Sequence, residues 1–374
     1  MSGIYIHIPF CKQACHYCNF HFSTSLKYKD ELINALINEI ELSSLFPNDS
    51  SPIKTIYFGG GTPSILNTND LNRIFNSLYK KFTIEPSAEI TLEANPDDIN
   101  KEKLKAWKET GINRLSVGIQ SFDDTELKWM NRAHNAAESI QCIDEIIEQG
   151  FSNFSIDLIY GSPLLTNDAW KKNVQTVIDK KIPHISCYAL TVEPKTTLDK
   201  LIHQHKSLPV DPEKQADQFL LLMQWMKEAG YEHYEISNYA LPGMRSKHNS
   251  SYWTGDLYYG FGPSAHSFDG KNRRWNIANN AAYIKSIENG KIPFEEELLT
   301  PTQQLNEYIM TALRTTEGLD IEKVAALFGE NFKTQLIQKS SQYLDKKVIQ
   351  QGSYLILTNE GKLFADGIAA DLFF

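Results

Sequence analysis

A chain of 374 residues, 41% hydrophobic and 22% charged, can bury a large core and is too long for one ordinary domain, which excludes global disorder and points to more than one folding unit. Its formal net charge of −9 argues against a nucleic-acid surface, which needs clustered Lys and Arg. No apolar run approaches the roughly 20 residues of a membrane span, and Met1 to Pro9 lacks a signal peptide's basic start and apolar stretch, so a cytoplasmic chain with no membrane anchor is expected.

Short β-rich runs alternate with amphipathic helical stretches as far as residue 230, the pattern of parallel βα units. Strands are expected at 4–8, 53–58, 89–92, 114–119, 154–159 and 185–190. Three- and four-residue apolar spacing predicts helices over 28–45, 70–81, 101–110, 137–149, 169–180 and 212–229. Six such units suit an α/β fold with a partial TIM-type barrel, although a doubly wound sheet has the same one-dimensional pattern. Residues 231–290 are irregular and aromatic and read as a loop-rich binding segment. In 291–374 helical patterns return, with a hairpin over 348–358 and a last helix, resembling a winged helix. That stretch carries eight Lys and Arg against twelve Asp and Glu, so DNA binding is not expected there; a lid or docking role is. The expected domains are therefore 1–230, 231–290 and 291–374.

Chemistry concentrates after the first strand. Cys11-Lys-Gln-Ala-Cys15-His-Tyr-Cys18 places three of the five cysteines within eight residues, a spacing that suits metal binding better than disulfides. A cubane iron–sulfur cluster takes four ligands, so three thiolates leave one iron open to a further molecule. A zinc site completed by His7, His16 or His21, or three packing cysteines, are the other readings of the spacing. Cys142 and Cys187 fall on a helix and a strand and are expected to be core residues.

Further along, Gly59-Gly60-Gly61-Thr62-Pro63 follows the second strand, where glycines let backbone approach a ligand. Glu93, Gln120 and Asp157 lie at or near the ends of the third, fourth and fifth strands. In a barrel those ends form one face, where functional groups converge; singly, each could equally be a helix cap or a satisfied surface group. Arg132 could offer a fork to a carboxylate. The run Gly262-Pro263-Ser264-Ala265-His266-Ser267-Phe268 is expected to shape the barrel mouth.

Together, CxxxCxxC with Tyr17 before its last cysteine, the glycine turn and the ordered polar residues resemble the radical S-adenosylmethionine (SAM) superfamily over nearly the whole chain. The likeness is to the branch holding oxygen-independent coproporphyrinogen III dehydrogenases and haem chaperones of the HemW family. This resemblance implies a [4Fe–4S] cluster on Cys11, Cys15 and Cys18. It implies SAM beside Tyr5, Gly60 and Glu93, and a reaction chamber bounded by Tyr17, Gly61, Thr62, Gln120, Arg132, Asp157 and Ala189. It assigns no catalytic residue.

Two departures separate the siblings. The dehydrogenase pattern has a further cysteine two residues after the third, whereas this chain has Asn19-Phe20. Conversely, Lys247-His248-Asn249-Ser250-Ser251-Tyr252-Trp253 matches the HNxxYW motif of haem chaperones, implying haem at His248 with Tyr252 and Trp253 stacked on it. A capped turn with core aromatics is the plainer reading of the same residues. The implied partners are haem and acceptor haemoproteins, respiratory enzymes among them, with any membrane contact peripheral.

Overall fold

The computed structural model describes residues 2–44 and 51–374. Strands β1 (Ser2–Ile8), β2 (Ile53–Gly60), β3 (Ile84–Ala94), β4 (Arg114–Gln120), β5 (Phe154–Tyr160) and β6 (His184–Ala189) pair in parallel in chain order. A doubly wound sheet reverses its strand order at a switch point. None occurs between β1 and β6, so the partial barrel is the fold that forms.

The six anticipated helices are Lys29–Leu42, Thr68–Lys81, Lys101–Glu109, Ala136–Glu148, Asn167–Asp179 and Pro212–Glu228. The first ends at Leu42 because Ser43 is extended; Leu45, its expected end, lies outside the described residues. Three helices begin slightly earlier than apolar spacing indicates, since side-chain caps start them: Asn67 with Asp70 and Asn135 with Glu138 as capping boxes, and Thr166 as a single cap.

Alternation along the strands sorts the two faces of the sheet. Ile4, Ile6, Ile8, Ile56, Phe58, Leu92, Leu115, Val117 and Ile156 are fully buried beneath the helices, each contributing about 2 kcal/mol by removal from water. The alternate positions, Tyr5, His7, Tyr57, Glu93, Arg114, Ser116, Asp157 and Ser186, face inward. An interior of that composition makes a polar chamber, where an apolar barrel core would normally sit.

Residues 231–290 are more regular than their text suggests. A hairpin of β7 (Glu232–Glu235) and β8 (Asn238–Ala240) adds antiparallel to β6. The chain then crosses to the opposite edge, where β9 (Leu257–Phe261) lies parallel to β1. Strands β10 (His266–Phe268) and β11 (Asn272–Asn276) extend the sheet antiparallel, and so does β12 (Phe294–Leu298), which carries this sheet past the expected boundary at residue 290. Frequent Gly and Pro hid these strands, whose hydrogen-bond partners are far away in sequence. Phe82 packs edge-on against Tyr259 and Phe261, joining the extension to the main core.

A buried carboxylate ties the extension down. Glu39 interrupts the apolar stripe of helix Lys29–Leu42 and is 2% exposed. Its Oε2 accepts from the Gly262 N–H (2.7 Å) and the Tyr283 hydroxyl (2.5 Å), and its Oε1 from Asn276 Nδ2 (2.6 Å).

The C-terminal residues have their own apolar cluster, including Leu305, Ile309, Val324, Leu336, Leu355 and Ile368. Helices Pro301–Leu313, Ile321–Phe328, Glu330–Ser340 and Ala365–Leu372 surround a small sheet of β13 (Leu319–Asp320), β14 (Val348–Gln351) and β15 (Tyr354–Leu357), in the order β13-β15-β14. The expected hairpin is β14 and β15. Among the described residues no helix is long and apolar enough to cross a membrane.

Candidate cluster and cofactor site

The cysteine loop leaves the end of β1 and is pinned at both margins. Cys11 N–H donates to Ser23 O (3.0 Å) and Ser23 N–H to Pro9 O (2.8 Å). The turn around Met130 holds its middle: His16 N–H donates to Met130 O (3.1 Å), and Asn131 Nδ2 to Ala14 O (2.7 Å). Asn131 has φ +58°, a left-handed conformation that asparagine tolerates better than most residues. Lys12 pairs with Asp97 (2.8 Å) and Asp98.

Within this frame the three thiols are partly exposed and unbridged. A chain of polar contacts links them to the barrel. The Thr62 hydroxyl bonds to Cys11, Asn95 Nδ2 donates to Thr62 Oγ1 (3.2 Å), and Arg132 donates to Asn95 Oδ1 (2.7 Å) and to Cys15 Sγ (3.1 Å). Burial pushes the Cys11 thiol up to about 11; the Thr62 contact lowers it, while Cys18 and Cys15 add to the rise. Metal binding as thiolates would release these protons, and the Arg132 guanidinium beside Cys15 would offset part of the resulting charge. Among the described residues no three His, Cys, Asp or Glu side chains are disposed around a single ion, as zinc would require. A cubane's irons take one thiolate each, so its ligands need not converge on a point.

The glycine turn brings β2 against this loop. Gly61 N–H donates to Ile8 O (2.9 Å) and Thr62 N–H to Phe10 O (2.6 Å). A Cβ on Gly61 would lie 2.6 Å from Phe10 O, 2.8 Å from Phe10 N and 2.9 Å from Ile8 O, all backbone atoms. Gly61→Val should therefore displace the loop and cost about 2 kcal/mol. Iron retained after reconstitution should fall together with the unfolding midpoint. Gly367→Ala, within the helix Ala365–Leu372 and with nothing within 4 Å of the added Cβ, should leave iron retention unchanged and raise the midpoint slightly.

Deeper inside, Tyr57 donates its hydroxyl to Glu93 Oε1 (2.7 Å), and Gly59 sits between Tyr57, Tyr5 and Glu93. Burial raises the Glu93 carboxyl to about 7, with the Tyr57 bond lowering it and Asp157 adding to the rise. Burial likewise raises Asp157 to about 6, against the Ser186 bond and the charges of Arg114 and Arg132. Two carboxyls raised toward neutrality by burial, facing one polar chamber, are the kind of feature that makes it a candidate site.

Most of the nominated residues gather at this end. Cys11, Cys15, Cys18, Tyr17, Gly60, Gly61, Thr62, Glu93, Gln120 and Arg132 lie at or beyond the C-terminal ends of their strands, and Ala189, exposed, ends β6. Gln120 is buried with φ +66°, a strained backbone for that residue type and a common mark of functional sites. Tyr17 packs on Met130, Ile159, Leu190 and Leu198. Asp157, expected at a strand end, occupies the middle of β5, reaching the chamber because the pleat turns it inward. Asn95 and Asn131 were not nominated; their signal was an Asn at each of the two loop anchors, in Ala94-Asn95-Pro96 and Met130-Asn131-Arg132.

His248 lies at the other end of the barrel. Its helix, Lys247–Thr254, crosses beneath the starts of β1 to β3, and the carboxylate of Glu89 accepts from the Lys247 (3.2 Å) and His248 (3.0 Å) N–H groups, favourably placed at a helix N-terminus. The imidazole is 1% exposed. Its Nδ1 is bonded to Thr55 Oγ1 (2.8 Å) and its Nε2 to the Tyr252 hydroxyl (3.0 Å), and the ring stacks on Tyr57 at 4.9 Å. Burial, with Arg114, lowers its pKa to about 3. Trp253 faces the Arg314 guanidinium at 5.4 Å. In this arrangement His248 offers no free nitrogen to a ligand, and the motif forms a floor between the barrel and the C-terminal residues.

A half-barrel with a three-thiol loop at its open mouth defines a class of iron–sulfur cofactor proteins. The chain belongs to the Radical SAM superfamily, which matches residues 5–201, and the HemN C-terminal domain matches residues 299–364. It is 33% identical to the heme chaperone HemW of Bacillus subtilis, over 98% of each chain. To the heme chaperone HemW of Escherichia coli it is 30% identical, over 98% of this chain and 96% of that one. Among solved structures, the coproporphyrinogen III oxidase HemN from Escherichia coli superposes with a TM-score of 0.84 over all of this chain and 90% of that one; at 22% identity the likeness is one of fold.

Proposed function

We propose that this chain is a haem chaperone: it binds a [4Fe–4S] cluster on Cys11, Cys15 and Cys18, SAM beside it, and haem, which it delivers to acceptor haemoproteins in the cytoplasm or at a membrane surface. The observation that carries this reading is full-length similarity to proteins named heme chaperones. Phe20, standing where the porphyrinogen-oxidising pattern has a cysteine and 69% exposed, agrees with it.

Cluster and SAM together can supply a carbon-centred radical when reduced, or hold the mouth in one conformation when not. This chain's own residues would do the holding. Three thiolates leave an open iron, Gly60 and Gly61 bring backbone close, Glu93 offers a carboxylate to the SAM amino group, and Arg132 fixes Cys15 and Asn95. Coproporphyrinogen III oxidation is the competing activity.

Anaerobic reconstitution followed by haem loading tests the reading. Haem should pass from the loaded chain to an apo-haemoprotein, with decarboxylation of coproporphyrinogen III at background. Robust decarboxylation without haem transfer would reverse the assignment.

A further inference from the structure

The haem-chaperone reading needs an iron ligand, and the accessible histidines can be compared one by one. The chain has ten. His7, His233 and His248 have both ring nitrogens engaged. His134 and His184 are buried. His16 bonds to Trp129 O (2.7 Å) and His21 to Asn280 Oδ1 (2.7 Å), both within the cysteine loop's surroundings, and His203 is held by Asp199. His205 and His266 are exposed and no hydrogen bond engages either ring among the described residues.

These two differ in what surrounds them. His205 follows the helix Thr197–His203, beside Lys206, and among the described residues no aromatic ring packs on it. His266 stands on a sheet face. It is the cross-strand partner of Trp275, and their rings stack at 6.1 Å with planes 28° apart. Phe268, two residues on and therefore on the same face, pairs with Tyr258, their rings 6.2 Å apart. Tyr258 packs edge-on against Tyr252 at 4.9 Å, and in β9 it lies one pleat from Gly260, the register partner of Tyr5. The wall is thus continuous with the chamber that holds Tyr5 and Glu93. Close approach of β10 requires Gly260: a Cβ there would lie 1.9 Å from His266 O.

We propose that His266 is the axial ligand of the haem iron on the wall formed by β9 to β11, with Phe268 on the same face against the porphyrin and Trp275, nearly parallel to the imidazole, meeting the macrocycle edge-on while it holds the imidazole upright. This deepens the haem-chaperone reading and rests on it. A flat macrocycle needs aromatic surface on one side and a nitrogen lone pair at its centre. The His266 wall supplies both at the open end of the chamber. Partial desolvation by its neighbours and the Arg273 charge lower the imidazole's pKa, which favours the neutral, ligating form. Delivery also requires release, and an exposed ligand permits it where a buried one would not.

The test titrates ferric haem into anaerobically reconstituted protein and follows the Soret band. His266→Ala should weaken binding roughly tenfold or more and shift the spectrum from histidine ligation. His266→Gly should recover the wild-type spectrum with added imidazole. His205→Ala should bind as wild type does, and cluster content and circular dichroism should be unchanged in every variant. If His266→Ala titrates like wild type, or if His248→Ala alone loses haem with its cluster intact, the proposal is wrong and the haem-chaperone reading stands. If wild-type protein takes up no haem, the reading itself fails and the ligand assignment with it.

Discussion

Cys15→Ser leaves the reconstituted chain without its cluster: iron and sulfide fall from about four each per chain to background, and the visible thiolate-to-iron absorption disappears. The expected loss is complete because each thiolate holds a separate iron, and no spare cysteine is at hand. Cys142 and Cys187 are 2% exposed, in a helix and in a strand outside the loop. Cys15 is the most telling of the three to change, since its sulfur also accepts from Arg132 (3.1 Å). Removing it frees the guanidinium that also holds Asn95 and Gly118 O (2.7 Å each). Cys142→Ser and Cys187→Ser should retain full iron. Stoichiometric zinc in wild-type protein, with no cluster after reconstitution, would show the triplet to be a different kind of site.

Glu39→Ala should lower stability by about 4 kcal/mol, because three buried donors, the Gly262 N–H, the Tyr283 hydroxyl and Asn276 Nδ2, lose their acceptor together. Urea unfolding of the variant should show a much reduced midpoint. Proteolysis should cut first in β9 to β11, the strands this carboxylate secures. The same residue imposes a pH dependence. Burial raises Glu39 from its ordinary 4.5 to about 7, the three donors opposing the rise. The folded chain therefore keeps the proton over a range where the unfolded chain has released it. Its contribution to stability is full below about 4.5, is lost as pH rises to about 7, and is constant above. Glu39→Gln removes this titration, so the difference in stability between wild type and variant should change by about 3 kcal/mol across that window, in the direction that disfavours wild type at higher pH. An invariant difference from acid to neutral pH would show that Glu39 does not titrate in the fold.

Local patterning accounts for what could be read before the structure. The βα units are visible because an apolar strand buried under helices and an amphipathic helix covering it each carry their own period, and both are encoded within a few residues. The cluster loop was legible for a similar reason: its three ligands lie on one turn of chain. Glu39 was not, since a carboxylate at an apolar helix position looks like noise until Gly262, Asn276 and Tyr283 arrive from more than 200 residues away. The strands of 231–290 were read as loop because each is short, broken by glycine, and completed only by hydrogen bonds to distant edges. Asn95 and Asn131 escaped notice because an anchoring role depends on what stands opposite.

By itself, then, the amino-acid order determined the alternating units, the three-thiol loop and the polar residues that follow the strands, all local features of spacing and residue type. Tertiary structure decided which ends of the barrel those residues occupy. It carried Glu93, Gln120 and Arg132 to one mouth, turned Tyr5 and Asp157 into the chamber behind it, and sent His248 to the floor, with both ring nitrogens engaged, while leaving His266 on an open aromatic wall. Motif spacing cannot distinguish a buried imidazole from a free one, because burial and hydrogen bonding are set by partners that only the closed fold brings into contact.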